Sequence, residues 1–172
     1  MFRFDIISSR TIALAAAVTA GPLLAGVLTA QETGAATPMH VITITIEKVR
    51  AIDQIDLFSK GDFYARGTID KDVQTTPVAK QQAEIAPNWK IAHKVPAGKH
   101  TLKLEIFDKD VAADDPIDVN PLDKNRVLEA TIDTRKCRIS GYGKTSRCGA
   151  TITVAGKEKK AAAVSFKVDV KK

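Results

Sequence analysis

The sequence has few of the side chains that carry redox, nucleophilic or metal-dependent catalysis. It contains two cysteines, with no C-x-x-C motif, and three histidines, His40, His93 and His100, which lack any metal-binding spacing. No nucleophile or histidine accompanies its carboxylates at a spacing typical of acid–base catalysis. The sequence therefore predicts a protein that is not an enzyme. An enzyme of the cell envelope, or an accessory domain of one, is the last of the alternatives.

The chain is basic without concentrating its charge. With 172 residues, 44% hydrophobic and 27% charged, it is large enough for one globular domain with a real core. The formal net charge of +6 favours acidic partners, but the basic residues are scattered rather than placed on one predicted helix. We therefore expect no nucleic-acid partner. Near the end of the sequence, a solvated tail or a docking surface for anionic lipid is formed by Lys157, Lys159, Lys160, Lys171 and Lys172.

Residues 1–30 have the pattern of a signal peptide. Arg3 and Arg10 flank a short polar start, and an uncharged run rich in alanine, leucine and valine continues to Ala30. Cleavage after Ala30 is expected, with a signal reaching to 36 as a variant and an uncleaved membrane anchor as the alternative. Residues 31–38 then form a linker and 39–172 a single domain. This predicts an exported protein, periplasmic, secreted or on the cell surface.

The two cysteines are expected to form one disulfide. Cys137 and Cys148 enclose a loop rich in glycine, serine and basic residues, and close pairs in exported proteins are usually bridged. Such a bridge stabilises a fold by about 3 kcal/mol. Within this loop, G-K-T at 143–145 resembles the end of a phosphate-binding loop, but Arg138 stands where that motif requires a glycine. We interpret the similarity as chance.

Short strand-like segments cover the rest of the chain. In 41–46 isoleucine alternates with threonine, and in 164–170 apolar residues alternate with polar ones, which is the period of a strand with one buried face. No amphipathic helix of useful length competes with this pattern. It predicts an all-β fold, an eight-stranded antiparallel two-sheet β-sandwich. The other six strands are expected at 63–69, 77–84, 89–95, 102–106, 126–134 and 150–155.

Two loops at strand ends are dense in aspartate. Asp56 and Asp62 lie in D-L-F-S-K-G-D after the first strand, and D-K-D-V-A-A-D-D follows a later strand at 108–115. Carboxylates this close repel one another unless water or a cation lies between them, so each loop suggests an ion site. An EF-hand loop starting at Asp108 would need glycine and glutamate where Ala113 and Val119 stand.

The order of these segments resembles a C2 domain, the calcium- and lipid-binding β-sandwich of synaptotagmins and protein kinase C. In that family a second aspartate follows the first by six residues and opens an S-D-P-Y-type strand, which is similar to Asp56 and Asp62 with Phe63 and Tyr64 here. The family's L-x-I-x-V-x-D-x-D strand and loop match 102–110 closely.

The match is weaker elsewhere. P-N-W at 87–89 is an imperfect form of the family's N-P-x-W, and Asp118 replaces a glycine that often follows the D-D-x-I stretch. The cysteine loop is not a general family feature. The resemblance spans roughly 40–172 and is strongest over 53–64 and 99–117.

The resemblance implies a calcium site on the two aspartate loops. The ligands that it carries over are Asp56, Asp62, Asp108, Asp110 and Asp115. Asp114 competes with Asp115 for the last place, since one of the pair could merely orient the loop. Calcium takes roughly six to eight oxygens, so these carboxylates with carbonyls and water could hold one or two ions.

The first functional prediction is an exported, non-enzymatic C2-like module that binds calcium and thereby attaches to anionic phospholipid or to a partner protein. Phe58, in the first aspartate loop, is the large apolar residue best placed to insert into lipid. The alternative is a structural or adhesive sandwich of the cell envelope, in which any ion only rigidifies the loops.

Overall fold

The fold of the chain is all-β, as the strand periodicity predicts. The computed structural model describes residues 36–53, 61–80, 82–122 and 125–172. These residues form twelve strands: β1 (Met39–Ala51), β2 (Phe63–Ile69), β3 (Asp72–Thr75), β4 (Glu84–Ile85), β5 (Trp89–Pro96), β6 (Lys99–Asp108), β7 (Asp115–Ile117), β8 (Leu128–Asp133), β9 (Arg138–Ser140), β10 (Thr145–Arg147), β11 (Ile152–Ala155) and β12 (Ala162–Lys171).

The strands form two antiparallel sheets, which confirms the predicted sandwich. In the five-stranded sheet the order is β11-β12-β1, and β1 then pairs with β4 and β5 on its other side. In the seven-stranded sheet the order is β10-β9-β8-β6-β2-β3, with β7 also on β6. Because β1 and β6 are central, they carry the longest hydrogen-bonded ladders of the two sheets.

The core lies between the sheets and follows the alternation of the sequence. Ile42, Ile44 and Ile46 of β1 have no solvent exposure, and the inward side chains of β6 are equally buried. The sheets pack closely at Gly67, where an added Cβ would lie 2.8 Å from Cδ1 of Ile91. A side chain at 67 would therefore overlap the facing sheet.

One predicted strand, at 77–84, is wrong. The described residues there make only an isolated bridge between Phe63 and Ala79 before β4 begins at Glu84. Pro77 has no N–H to donate, so it weakens a ladder at this position. Instead β3 pairs with β2 after a tight turn, in which Asp70 has a left-handed φ of 54°.

The hairpin β9–β10 occupies the segment that the sequence presents as a loop, and the predicted disulfide is confirmed there. Cys137 and Cys148 are bridged, with their Cα atoms 5.2 Å apart. The amide of Cys148 donates to the carbonyl of Cys137 at 3.1 Å. The bridge thus closes the open end of the hairpin.

The predicted signal peptide, 1–30, lies outside the described residues, as does most of the linker at 31–38. Ala36, Thr37 and Pro38 are described and exposed, and β1 begins directly after them. The described segments contain no helical stretch with the length and hydropathy that a bilayer crossing requires. Export remains a prediction.

Candidate functional site

Strand register brings three of the predicted acidic ligands to one end of the seven-stranded sheet. Asp108 is the last residue of β6 and lies opposite Phe63 of β2 on one side and Asp115 of β7 on the other. Asp62 comes directly before β2, and its amide donates to Oδ1 of Asp108 at 2.5 Å. The aspartate that precedes β2 and the aspartate that ends β6 are therefore in direct contact. We call Asp62, Asp108, Asp110, Asp114 and Asp115 the acidic end.

The carboxylate of Asp114 closes the loop that follows β6. It accepts hydrogen bonds from Nζ of Lys109 at 2.9 Å, from the phenol of Tyr64 at 2.7 Å and from the amide of Asp110 at 3.3 Å. The hydrogen bond from Tyr64, followed by that from Lys109, lowers the pKa of Asp114. This carboxylate has a clear role in loop geometry, while its role as a ligand stays a prediction.

Tyr64 joins the acidic end to the outer face of the sheet. Its ring stacks on Phe107 with centroids 5.1 Å apart, and the guanidinium of Arg66 lies over the Phe107 ring at 4.5 Å. Burial, and secondarily the hydrogen bond to Asp114, raise the pKa of the Tyr64 phenol to about 12. Tyr64 therefore stays protonated and donates to Asp114 at any physiological pH.

A lysine from a distant loop neutralises Asp115. Nζ of Lys160 forms an ion pair with Oδ2 of Asp115. Lys160 has a left-handed φ of 60°, and its carbonyl accepts the amide of Asp118 at 2.9 Å. The loop before β12 is thereby fixed against β7, and the pairing gives Asp115 a cation from the chain itself.

Asp118 anchors the same loop, a role that the sequence does not reveal. It is completely buried, and its carboxylate accepts the amides of Lys157 and Glu158, each at 2.7 Å, and that of Asn120 at 2.9 Å. The backbone of Asp118 lies so close to Gly156 that an added Cβ there would be 2.2 Å from the Asp118 carbonyl oxygen. The signal in the sequence that could have indicated this role is the aspartate at 118, where the C2 pattern often has a glycine.

The remaining predicted ligands differ in exposure. Asp108 is buried, Asp62 is half-buried and Asp110 is exposed. Asp56, and Phe58 as the predicted lipid contact, lie outside the described residues. The acidic end thus contains five of the six predicted ligands, and the binding of an ion by any of the six stays a prediction.

The donor chemistry of the acidic end suits a hard cation, because carboxylate oxygens are the ligands that calcium prefers. Its geometry is less favourable: among the described residues, no three carboxylates, histidines or cysteines are arranged to hold a metal ion. Lys109 and Lys160 occupy Asp114 and Asp115. A bound cation would have to displace these lysines or use the other carboxylates.

The histidines lie at the opposite end of the sandwich and contribute nothing to the acidic end. His100, near the start of β6, contacts Asp70 at 2.7 Å through Nδ1 and the carbonyl of Pro96 at 2.8 Å through Nε2. His40 and His93 are buried, and the described residues offer no partner to Nδ1 of His40 or Nε2 of His93.

No protein-family profile and no curated protein sequence matches the chain. Solved structures do. A structure described as that of a C2 domain has a TM-score of 0.54 at 16% identity, covering 78% of this chain and 100% of that one. A structure of extended synaptotagmin 2 that contains two C2 domains gives a TM-score of 0.57 at 16% identity, covering 94% of this chain and 48% of that one.

Human GIVD cytosolic phospholipase A2, in complex with a fluorophosphonate inhibitor and terbium chloride, gives a TM-score of 0.51 at 15% identity. That match covers 77% of this chain, but this chain spans only 18% of the phospholipase chain. At these identities, the likeness concerns the fold.

Proposed function

We propose that this chain, whose fold is that of a C2 domain, is a non-enzymatic binding module that takes calcium at its acidic end. The proposed ligands are Asp56, Asp62, Asp108, Asp110 and Asp115, and Asp114 holds the loop. The observation that supports this most strongly is the register that places Asp108 between Phe63 and Asp115, because it converts separate stretches of sequence into one cluster.

In the calcium-free state of this cluster, two lysines form ion pairs with its carboxylates. Lys109 and Lys160 offset part of its negative charge. Carboxylates at close range repel one another, and a cation between them relieves that repulsion. Calcium would supply that cation, and the acidic end would change from negative to neutral or positive.

A partner follows from this change in charge. A cation shared between protein carboxylates and an acidic ligand joins the two, so we propose attachment to anionic phospholipid or to an acidic protein surface. The chain's overall charge of +6 lowers the electrostatic cost of that approach. If the predicted export is right, a weak site would suffice, since calcium is plentiful outside the cytosol.

A second candidate function is a structural or adhesive sandwich without a calcium site. The observation that favours it is the same pair of lysine contacts, which give Asp114 and Asp115 partners from within the chain. In that case the lysines replace the ion permanently, and calcium would change nothing.

Calcium titration distinguishes the two candidates. We expect the melting temperature to rise with calcium in the wild type, and saturation at a hundredfold excess over Kd corresponds to about 2.7 kcal/mol. Asp108→Asn with Asp110→Asn should abolish the rise, because each change removes a charge but keeps a side-chain oxygen. Asp72→Asn with Asp169→Asn, two exposed acids outside the acidic end, is the matched control.

If millimolar calcium leaves the melting temperature of the wild type unchanged, the calcium site is refuted and the structural candidate remains. Sedimentation with vesicles then tests attachment. Calcium-dependent pelleting with phosphatidylserine vesicles supports a lipid partner. Its absence, in a protein that does bind calcium, rules out lipid and leaves a protein partner.

A further inference from the structure

A second charged surface lies away from the acidic end, on the outer face of the seven-stranded sheet. Register aligns Lys99 of β6 with Asp133 of β8, Asp133 with Arg138 of β9, and Arg138 with Arg147 of β10. The row thus crosses four strands and contains three cationic side chains and one carboxylate. Lys99 opens β6 whereas Asp108 ends it, so this surface and the acidic end are at opposite ends of that strand.

A row of hydroxyl groups runs beside the charged row. Thr131, Ser140 and Thr145 are cross-strand neighbours in β8, β9 and β10. Together with Lys99, Lys136, Arg138 and Asp133 they line a depression of about 340 Å³. Its size is that of a small-ligand site. Its walls offer three cations, hydroxyl donors and one carboxylate.

The arginine pair within this surface is unfavourable unless an anion is present. Arg138 and Arg147 lie directly opposite one another, and like charges in that position destabilise a sheet. Among the described residues β10 is the last strand of its sheet, so Arg138 is the one cross-strand neighbour of Arg147 there. The disulfide holds this arrangement, because Cys137 directly precedes Arg138 and Cys148 directly follows Arg147.

The carboxylate in the row offsets only part of this positive charge, through its attraction to Lys136 and Lys99. Oδ1 of Asp133 accepts the amides of Arg135 at 3.1 Å and Lys136 at 2.9 Å, and the latter bond is the main cause of its lowered pKa. Among the described residues, no ion pair is formed by Lys99, Lys136, Arg138 or Arg147. Four cations therefore face solvent around one carboxylate that is engaged in a turn.

We propose that this depression binds the phosphate group of a small soluble ligand. Arginine binds phosphate in a bidentate manner, and lysine adds a point charge. The hydroxyls of Thr131, Ser140 and Thr145 can donate to the remaining phosphate oxygens. The site lies on a β-hairpin of a sheet, whereas a phosphate-binding loop precedes a helix. It therefore differs from that motif, although residues 143–145 resemble the motif's last residues.

The test is a titration of the intact chain with pyrophosphate in the presence of a calcium chelator, at constant ionic strength set with chloride. Isothermal calorimetry gives the affinity and amide chemical shifts give the location, which we expect around 131–147. Arg138→Gln with Arg147→Gln should weaken binding roughly tenfold or more. The same variant should melt at an equal or higher temperature, because it removes the like-charge pair.

Lys90→Gln with Lys94→Gln is the matched control. These exposed lysines on β5 belong to the other sheet, and their loss changes the net charge equally. Unchanged affinity in the arginine variant, or an equal loss in the lysine control, would overturn the proposal. So would binding to phosphatidylglycerol vesicles with no binding of pyrophosphate, since that pattern indicates a membrane contact. The chelator removes calcium, and we expect Asp108→Asn with Asp110→Asn to bind pyrophosphate as the wild type does. The result is therefore independent of the calcium proposal.

Discussion

Replacing Asp118 by alanine should be among the most destabilising single changes outside the apolar core. The side chain has no solvent exposure, and its carboxylate accepts the amides of Asn120, Lys157 and Glu158. Each buried donor left without a partner costs about 1–3 kcal/mol, and water would recover part of this near the exposed residues 157 and 158. We therefore expect the free energy of unfolding to fall by about 3–5 kcal/mol.

Urea denaturation followed by tryptophan fluorescence measures this loss, because Trp89 is the single tryptophan. Amide hydrogen exchange gives a local readout: the amides of Lys157 and Glu158 should exchange much faster in the variant. Asp118→Asn keeps one carbonyl oxygen and should fall between wild type and Asp118→Ala. Asp169→Ala, an exposed acid, is the control for a change of charge alone.

A free energy of unfolding of Asp118→Ala within about 1 kcal/mol of wild type would contradict this role of the carboxylate. A fall in stability with unchanged exchange at 157 and 158 would contradict it too, since the loss would then arise elsewhere. In Asp118→Ala we also expect the ion pair between Lys160 and Asp115 to be lost, because the same loop carries both contacts.

Three further predictions concern the core and the disulfide. Burial lowers the pKa of His93 below its unfolded value of about 6.5, so the free energy of unfolding should fall as the pH drops below that value toward the folded pKa. Urea denaturation at about pH 7.5 and about pH 5.5 measures this fall, and the difference in stability between the two pH values should be smaller in His93→Leu than in the wild type. An equal difference in both proteins would assign the pH dependence to other groups. Gly67→Ala should cost about 1–3 kcal/mol in the same assay, because its Cβ would overlap Ile91, and an unchanged midpoint would contradict that packing. Cys137→Ser with Cys148→Ser should lower stability by about 3 kcal/mol, and a non-reducing gel with reductant-dependent melting of the wild type is the check.

The main strands could be predicted because their apolar residues alternate over enough positions to exclude a helix. That signal exists in β1 and β12, where one face is fully buried. It is missing in β3, whose four residues are all exposed, and in β9 and β10, which are short and mostly polar. The structure of those segments depends on pairing with neighbours, on the turn at Asp70 and on the disulfide.

The acidic end could be predicted only as a set of residues. The approach of Asp62 to Asp108 follows from the antiparallel register of β2 and β6, which strand order alone suggests. The lysine on Asp115 could not be foreseen, because Lys160 is distant in sequence and reaches it through an unusual backbone conformation. The roles of Asp56 and Phe58 remain predictions from the resemblance.

The position of β1 also has a consequence for the order of events during synthesis. β1 lies at the beginning of the described domain and pairs with β12 at its end, from Val41 opposite Lys171 to Ala51 opposite Ala162. The isoleucine face of β1 therefore leaves the ribosome long before the strand that completes its ladder. Pairings of such separation close slowly, so the nascent chain remains open, and in need of protection from aggregation, until nearly all of the domain has been made. A chain that closes so late would still be unfolded if an export machinery engaged its beginning during translation.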